Sequence, residues 1–316
     1  MPELFLGVDG GQSGTFALIG DRTGRVIGAG HSGPSNHVSA SEGTAKFTAA
    51  IRDCLKAACT EAGLDSAAVR FASSCLGFSG GPADKQGILK DILSSDRTIV
   101  THDALIALSG ATAGDPGLIV IAGTGSIAFG RNAENETARA GGWGFIFGDE
   151  GSGFDIARQA LRAALRFEEG WGPPCSLRPL LLDATGARNI NELLHRFYTP
   201  EFPRPRVAGF AKLVDQAAEN GDQTATEILH EAARQLAALA AAVHDQLFGE
   251  GETTHVSYIG GVFRSRTVVD RFRILVESEP GNQVAPPVYG PAAGALLEAY
   301  RAAGVRCDLT NVPVEK

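Results

Sequence analysis

The sequence contains no C-x-x-C pair, and its five cysteines, at 54, 59, 75, 175 and 307, are odd in number. That disfavours a disulfide framework and predicts reduced, buried thiols in an intracellular protein. No dense Lys/Arg stripe occurs and the formal net charge is −8, which argues against a nucleic-acid partner. No apolar run approaches the ~18 residues of a membrane span, so no membrane partner is expected. The opening Met1-Pro2-Glu3-Leu4 lacks the basic region and apolar run of a signal peptide, and a cytoplasmic location is expected. Neither a G-x-x-x-x-G-K-[ST] loop nor a G-x-G-x-x-G fingerprint is present, and glycine shows no G-x-y period.

Glycine is nevertheless what the chain has in excess. It accounts for 40 of 316 residues, or roughly 13 %, against a usual ~7 %. With 44 % hydrophobic residues the excess does not signal disorder. It predicts tight turns, or loops where backbone closely approaches a ligand. At about 150 residues per domain, the length predicts two domains.

Residues 4–9 form an apolar run, followed by a Gly-rich turn, a β-type run at 15–19, a polar turn at 21–24 and a third run at 25–29. This reads as a three-stranded meander. Helices are expected at 41–62 and 82–93, strands at 69–76 and 98–101, and a helix at 103–111. The opening pattern then recurs at 118–122, 127–130 and 137–140, about 112 residues later. Further helices are expected at 154–167, 190–197, 207–219, 224–248 and 292–303, with a strand at 255–260. The alanine-rich stretch Leu236–Val243 reads as part of a buried helix. The class is α/β, in two halves that each start with a meander.

Five segments carry chemistry. In Gly7-Val8-Asp9-Gly10-Gly11-Gln12-Ser13-Gly14-Thr15 a strand delivers a carboxylate into a glycine turn with hydroxyls. Such a turn can aim backbone N–H groups at anionic oxygens, and the carboxylate can hold Mg²⁺ through water. An ordinary hairpin would explain the same glycines. Ala122-Gly123-Thr124-Gly125-Ser126 is the matching turn of the second meander. Asp103, after the strand at 98–101, lies either in a crevice at the carboxyl ends of the strands or at a helix N-cap. Residues 141–153 hold six glycines around Trp143, with Asp149 and Glu150 able to accept from sugar hydroxyls. One of those acids, Glu150 the better fit, can instead complement the helix that follows. Ser257-Tyr258-Ile259-Gly260-Gly261-Val262-Phe263-Arg264-Ser265 ends a strand in glycines that a flat adenine or ribose can approach.

In this order the segments resemble the sugar kinase/actin/heat-shock ATPase superfamily. More narrowly they resemble its N-acetylglucosamine kinase and BadF/BadG/BcrA/BcrD-type ATPase group. The resemblance runs from Gly7 to Tyr300, and Gly-Gly-Trp-Gly (141–144) with Gly-Asp-Glu-Gly-Ser (148–152) is its most specific part. It implies two RNase-H-like domains with an ATP cleft between them: residues 1–112 with 290–316, and 113–289.

The resemblance also implies roles. Gly10, Gly11, Gln12, Ser13 and Thr124 match phosphate-binding positions, and Asp9 takes the Mg²⁺–water position. Asp103 matches the catalytic aspartate and also contacts the sugar. Asn36, Ser126, Ile127, Gly142, Trp143, Gly144 and Asp149 match amino sugar contacts, and Gly209, Gly261 and Ser265 match nucleotide contacts. Position 13 is Ser where the vertebrate sugar kinase has Thr, and the tryptophan that follows Asn-His there is absent after His37. The implied activity is ATP- and Mg²⁺-dependent phosphorylation of an amino sugar by a homodimer, foremost N-acetylglucosamine to its 6-phosphate. Glucosamine and N-acetylmuramic acid are the competing substrates. Two competing activities remain, an ATPase activator of a CoA-linked reductase or dehydratase, and a sugar-sensing regulator.

Overall fold

The computed structural model describes residues 3–35, 43–80 and 84–314. The chain divides into two compact units, Met1–Pro116 with Pro287–Lys316, and Gly117–Pro286.

The first unit is built on the strands β1 (Leu4–Gly10), β2 (Thr15–Asp21) and β3 (Val26–Ser32), an antiparallel meander. The β2–β3 turn closes because the Asp21 carboxylate accepts from the N–H of Thr23 at 2.8 Å and from its hydroxyl at 2.6 Å. Helix α1 (Gly43–Glu61) buries Phe47, Ile51, Cys54, Leu55 and Ala58 at helical spacing. Strand β4 (Ser73–Phe78) runs parallel to β1; after the short α2 (Gln86–Lys90), β5 (Thr98–His102) runs parallel to β4 and leads into α3 (Asp103–Ala111). The strand order is β3-β2-β1-β4-β5. Both faces of β1 are covered. Leu4, Leu6 and Val8 pack with the α1 stripe, while Phe5 packs with Leu296 and Tyr300 of the last helix. That two-sided burial is why β1 reads as a continuous apolar run rather than an alternating one.

The second unit repeats the plan. Strands β6 (Gly117–Ala122), β7 (Ser126–Arg131) and β8 (Thr137–Gly141) form the antiparallel meander. Six helices follow: α4 (Gly153–Glu168), α5 (Leu177–Thr185), α6 (Ile190–Phe197), α7 (Arg204–Ala208), α8 (Ala211–Glu219) and α9 (Gln223–Leu247). Strand β9 (Thr254–Ile259) runs parallel to β6, and after a 3-10 turn (Gly261–Arg264) and α10 (Arg266–Val276), β10 (Asn282–Ala285) pairs with β9. The order β10-β9-β6-β7-β8 mirrors the first sheet strand for strand. Helix α11 (Pro291–Ala302) packs on β1 and α3 in the first unit. The two repeated sheets bear out the expected α/β fold. No helix among the described residues is long and apolar enough to cross a membrane.

Several elements differ from expectation. The helix expected at 207–219 is two, because the chain at Gly209–Phe210 changes to i→i+3 bonding, Phe210 N–H to Val207 O at 3.0 Å and Leu213 N–H to Phe210 O at 2.9 Å. Of the helix expected at 82–93, residues 82 and 83 lie outside the described residues and the helix described is Gln86–Lys90; the strand expected at 69–76 is Ser73–Phe78. Helix α10 is legible as a Val268–Phe272–Val276 stripe behind its Ser265 cap. Helix α5 carries Pro179 in its first turn, where a missing N–H is harmless. Strand β10 has one buried side chain, Val284, too little to show alternation. Of the thiols, Cys54, Cys59 and Cys75 are buried and Cys175 and Cys307 half-buried; all five are free.

Candidate active site

In the first unit the register aligns the ends of three strands. Gly10 pairs with Phe78, and Phe78 with His102. Asp9, Ser79 and Asp103 therefore come to one edge of the sheet, at the carboxyl ends where α/β folds bind ligands. Beyond β1 the chain turns at once, Gly11 N–H to Gly14 O at 2.9 Å, leaving Gln12 and Ser13 exposed. Asp103 is not the cap of α3. His102 takes that place, its Nδ1 accepting from the Leu105 N–H at 3.2 Å. Asp103 is instead the first helical residue, half-buried, and its Oδ2 accepts the Ser79 hydroxyl at 2.8 Å. Ser79 was findable by the rule that singles out Asp103, a polar residue just past a strand end. The structure thus favours the crevice position for Asp103 over the cap, and gives His102 the structural role.

In the second unit Thr124, Gly209, Gly261 and Ser265 converge. They line one cavity of about 300 Å³ together with Lys212 and Asp215. That volume lies at the lower end of small-molecule sites, ~300–1,000 Å³. The Ser265 hydroxyl is already engaged, accepting from the Val268 N–H at 3.3 Å as the α10 cap and donating to Asp215. Lys212 and Asp215 escape sequence reasoning because they sit on α8, outside every glycine-rich segment.

The remaining candidates form a braced loop. Gly142 donates its N–H to the Ser126 carbonyl at 2.9 Å, and Ile127 pairs with Gly141 across β7–β8. Trp143 is 65 % exposed beneath the Arg139 guanidinium, 4.6 Å from the ring centroid. Gly144 accepts from Gly148 N–H at 2.8 Å, folding the loop back. Asp149 is buried and holds a left-handed backbone at φ 63°, uncommon for a residue other than glycine and tolerated by aspartate. Its Oδ1 accepts the Ser126 N–H at 3.2 Å, while its Oδ2 pairs with Arg204. The Ser126 hydroxyl donates to the Glu150 carbonyl at 2.6 Å. Arg204 also donates to the Thr124 carbonyl at 3.3 Å and lies over the rings of Phe145 and Phe154. Nothing in its Pro203-Arg204-Pro205 setting signals this. The expected dipole role of Glu150 is not found: Ser152 caps α4, and the acid in its first turn is Asp155.

Asn36 lies outside the described residues. Among those described, no group of three or more His, Cys, Asp or Glu side chains could hold a metal ion. A single half-buried carboxylate, Asp9, stands at the first turn, a hard oxygen donor of the kind that suits Mg²⁺ when phosphate and water complete its shell.

Comparison with known proteins sets this geometry in a family. The sequence pattern of the BadF/BadG/BcrA/BcrD ATPase family matches residues 6–299. An N-acetylmuramic acid/N-acetylglucosamine kinase of Clostridium acetobutylicum is 32 % identical over 290 residues, covering 86 % of this chain and 89 % of that one. An N-acetyl-D-glucosamine kinase of Dictyostelium discoideum is 31 % identical over 314 residues, covering 94 % and 98 %. Among solved structures, a Chromobacterium violaceum protein provisionally described as an N-acetylglucosamine kinase has a TM-score of 0.74 at 28 % identity, covering 94 % of this chain and 98 % of that one. A ROK family glucokinase from Streptomyces griseus, solved with glucose and AMPPNP, has a TM-score of 0.55 at 19 % identity over 94 % and 98 % of the chains, a likeness of fold alone.

Proposed function

The chain belongs to the BadF/BadG/BcrA/BcrD ATPase family, and on that premise we propose that it transfers the γ-phosphoryl group of ATP to a hydroxyl of an amino sugar. The observation that carries this reading is the meeting of Thr124, Gly209, Gly261 and Ser265 on one cavity in a chain whose relatives are amino sugar kinases. N-acetylglucosamine, phosphorylated at its 6-hydroxyl, is the first candidate substrate. N-acetylmuramic acid and glucosamine follow it.

Phosphoryl transfer is mostly positioning and neutralisation of charge. Gly10, Gly11, Gln12, Ser13 and Thr124 are assigned to the phosphates, and Gly209, Gly261 and Ser265 to the rest of the nucleotide. Asn36, Ser126, Ile127, Gly142, Trp143, Gly144 and Asp149 are assigned to the sugar. Asp103 is the assigned base. With Oδ2 held by Ser79, its carboxylate accepts the hydroxyl proton as the new O–P bond forms and the bond to the departing ADP breaks. Asp9 would hold Mg²⁺ through water, and the ion would supply charge neutralisation on the phosphates. A cytoplasmic homodimer belongs to the same proposal, and sedimentation of the purified protein tests the assembly.

The test is coupled ADP release across hexoses and hexosamines. An amino sugar should stimulate turnover, and Asp103→Asn should lose about 10²–10⁴-fold in kcat while calorimetry still detects sugar binding. Absence of stimulation by any sugar would overturn the kinase reading in favour of an ATPase activator. Near-wild-type turnover of Asp103→Asn would overturn the role of the base.

A further inference from the structure

The second unit has another, larger cavity, about 520 Å³ in volume, walled by α4, α6 and α7. Its walls are apolar: Phe154, Leu161 and Leu165 on α4, Leu193 and Phe197 on α6, and Phe202 just before α7. Its charged lining is of one sign. Arg158, Arg162 and Arg204 face it, and no acidic side chain lines it among the described residues. That is a local reversal in a chain whose net charge is −8.

The arginines are only partly satisfied. Arg158 reaches Asp155 at 2.6 Å through one terminal nitrogen, and Arg204 reaches Asp149 in the same way. The Nε atoms of both are buried and have no acceptor among the described residues. A buried N–H left without a partner is unfavourable, and such a group in a native fold calls for an unseen acceptor. Arg162 is exposed and has no acidic partner among the described residues. Guanidinium groups present several N–H donors in a plane that suits carboxylates and other oxyanions. An apolar chamber of this volume with cationic donors at its wall has the make-up of a small-molecule site.

From these residues we infer that this cavity binds a small organic monoanion with an apolar body, its carboxylate or sulfonate at the arginines and its body among the leucines and phenylalanines. The inference does not rest on the proposed kinase activity: none of the lining residues is assigned to phosphate, base, sugar or nucleotide, and Arg162 and Leu161, the positions tested, lie outside the Arg204 clamp on Thr124 and Asp149.

The probe is 8-anilinonaphthalene-1-sulfonate, titrated by fluorescence against the full chain with saturating ADP present to occupy the smaller cavity. One saturable site per chain is expected. Octanoate should displace the dye at least tenfold more effectively than the uncharged octanol. Arg162→Glu should weaken the dye by at least tenfold, and Leu161→Trp, which fills the chamber, should abolish saturable binding. Arg162→Ala serves as a milder variant should either substitution fail to fold, and a loss of a few-fold is expected of it. All three should melt within a few degrees of wild type. Equal affinity in the wild type and in the variants that fold overturns the inference, as does equal displacement by octanol. Dye binding that appears only when the protein is diluted to monomers also overturns it, since a second copy would then be the occupant.

Discussion

The turn after β1 and the turn after β6 occupy the same place in two sheets of one topology, yet they are held differently. Residues Gly11–Gly14 rest on main-chain bonds, Gly11 N–H to Gly14 O at 2.9 Å and Ser35 N–H to Gly11 O at 3.3 Å. No side-chain hydrogen bond reaches them among the described residues. The Gly123–Gly125 turn has its own main-chain bond, at 2.9 Å, and is clamped besides. Gly153 donates to Gly123 O at 2.8 Å, Arg204 donates to Thr124 O at 3.3 Å, and Asp149 takes both Arg204 and the Ser126 N–H. A turn held by main chain alone can adjust to what it binds, whereas a clamped one is set before binding. The repeated fold unit thus supplies one turn held by main chain alone and one clamped by side chains.

Cutting the clamp should break this contrast most severely. Arg204→Met leaves a buried carboxylate without its cation, which costs on the order of 3 kcal/mol when the partner is largely buried. Urea unfolding should show that loss, and hydrogen exchange should place it in the second unit. Asp149→Asn should cost less, and the double variant should recover part of the Arg204→Met loss, giving a coupling energy above about 0.5 kcal/mol. Additive losses would mean that the pair does not brace the turn.

Next come alanines at Gly10, just before the first turn, and at Gly125, within the second. A Cβ at Gly10 would overlap the Phe78 ring and lie 2.5 Å from Ser35 Oγ. Overpacking of that kind costs about 1–3 kcal/mol. At Gly125 the added carbon would meet the far ends of two flexible side chains, Asp149 Oδ1 at 2.8 Å and Arg204 at 3.0 Å. The smaller expected loss, about 1 kcal/mol, should vanish in an Arg204→Met background, where the neighbour can move. Thermal melts of the four proteins check both statements.

The meanders are legible in the sequence because each is a local object: an apolar run, a glycine turn and a second run within about 15 residues. Asp103 is legible for the same reason, as the polar residue that ends a strand and opens a helix. The clamp is not. Arg204 stands 55 positions from Asp149 and 80 from Thr124, so only the folded chain joins them. Likewise Lys212 and Asp215 reach the Thr124 cavity from a helix whose own pattern shows only an apolar stripe. Local turn chemistry is written in adjacent residues, while the bracing of a turn is written in tertiary pairing.

A third way to separate the units uses pH. Burial pushes the Cys54 thiol up to about 12 from 9.0, against an opposing hydrogen bond from Ser32, and its Sγ donates to Gly30 O at 3.1 Å. A group whose folded value is raised contributes stability below its unfolded value and loses it as pH rises towards the folded one. The first unit should therefore weaken between pH 9 and about 12, by at most about 1.4 kcal/mol per pH unit for this thiol. Cys54→Ala should flatten that slope in unfolding measured at successive pH values. An unchanged slope would show that the buried thiol does not set it.

The smallest effect on stability should come from Ser13→Ala. Ser13 is exposed on the adaptable turn and makes no side-chain hydrogen bond among the described residues, so unfolding should change by less than about 0.5 kcal/mol. Its proposed role is to donate a hydroxyl to phosphate, and losing one such donor should raise the KM for ATP several-fold while leaving the KM for sugar alone. Thr124→Ala, on the clamped turn, removes the corresponding hydroxyl but leaves the carbonyl that Arg204 holds. If the clamp keeps the second turn in place without its hydroxyl, Thr124→Ala should raise the KM for ATP less than Ser13→Ala does. The reverse order would mean that pre-set geometry makes the Thr124 hydroxyl the stronger donor, and that adaptability in the first turn compensates for the missing one.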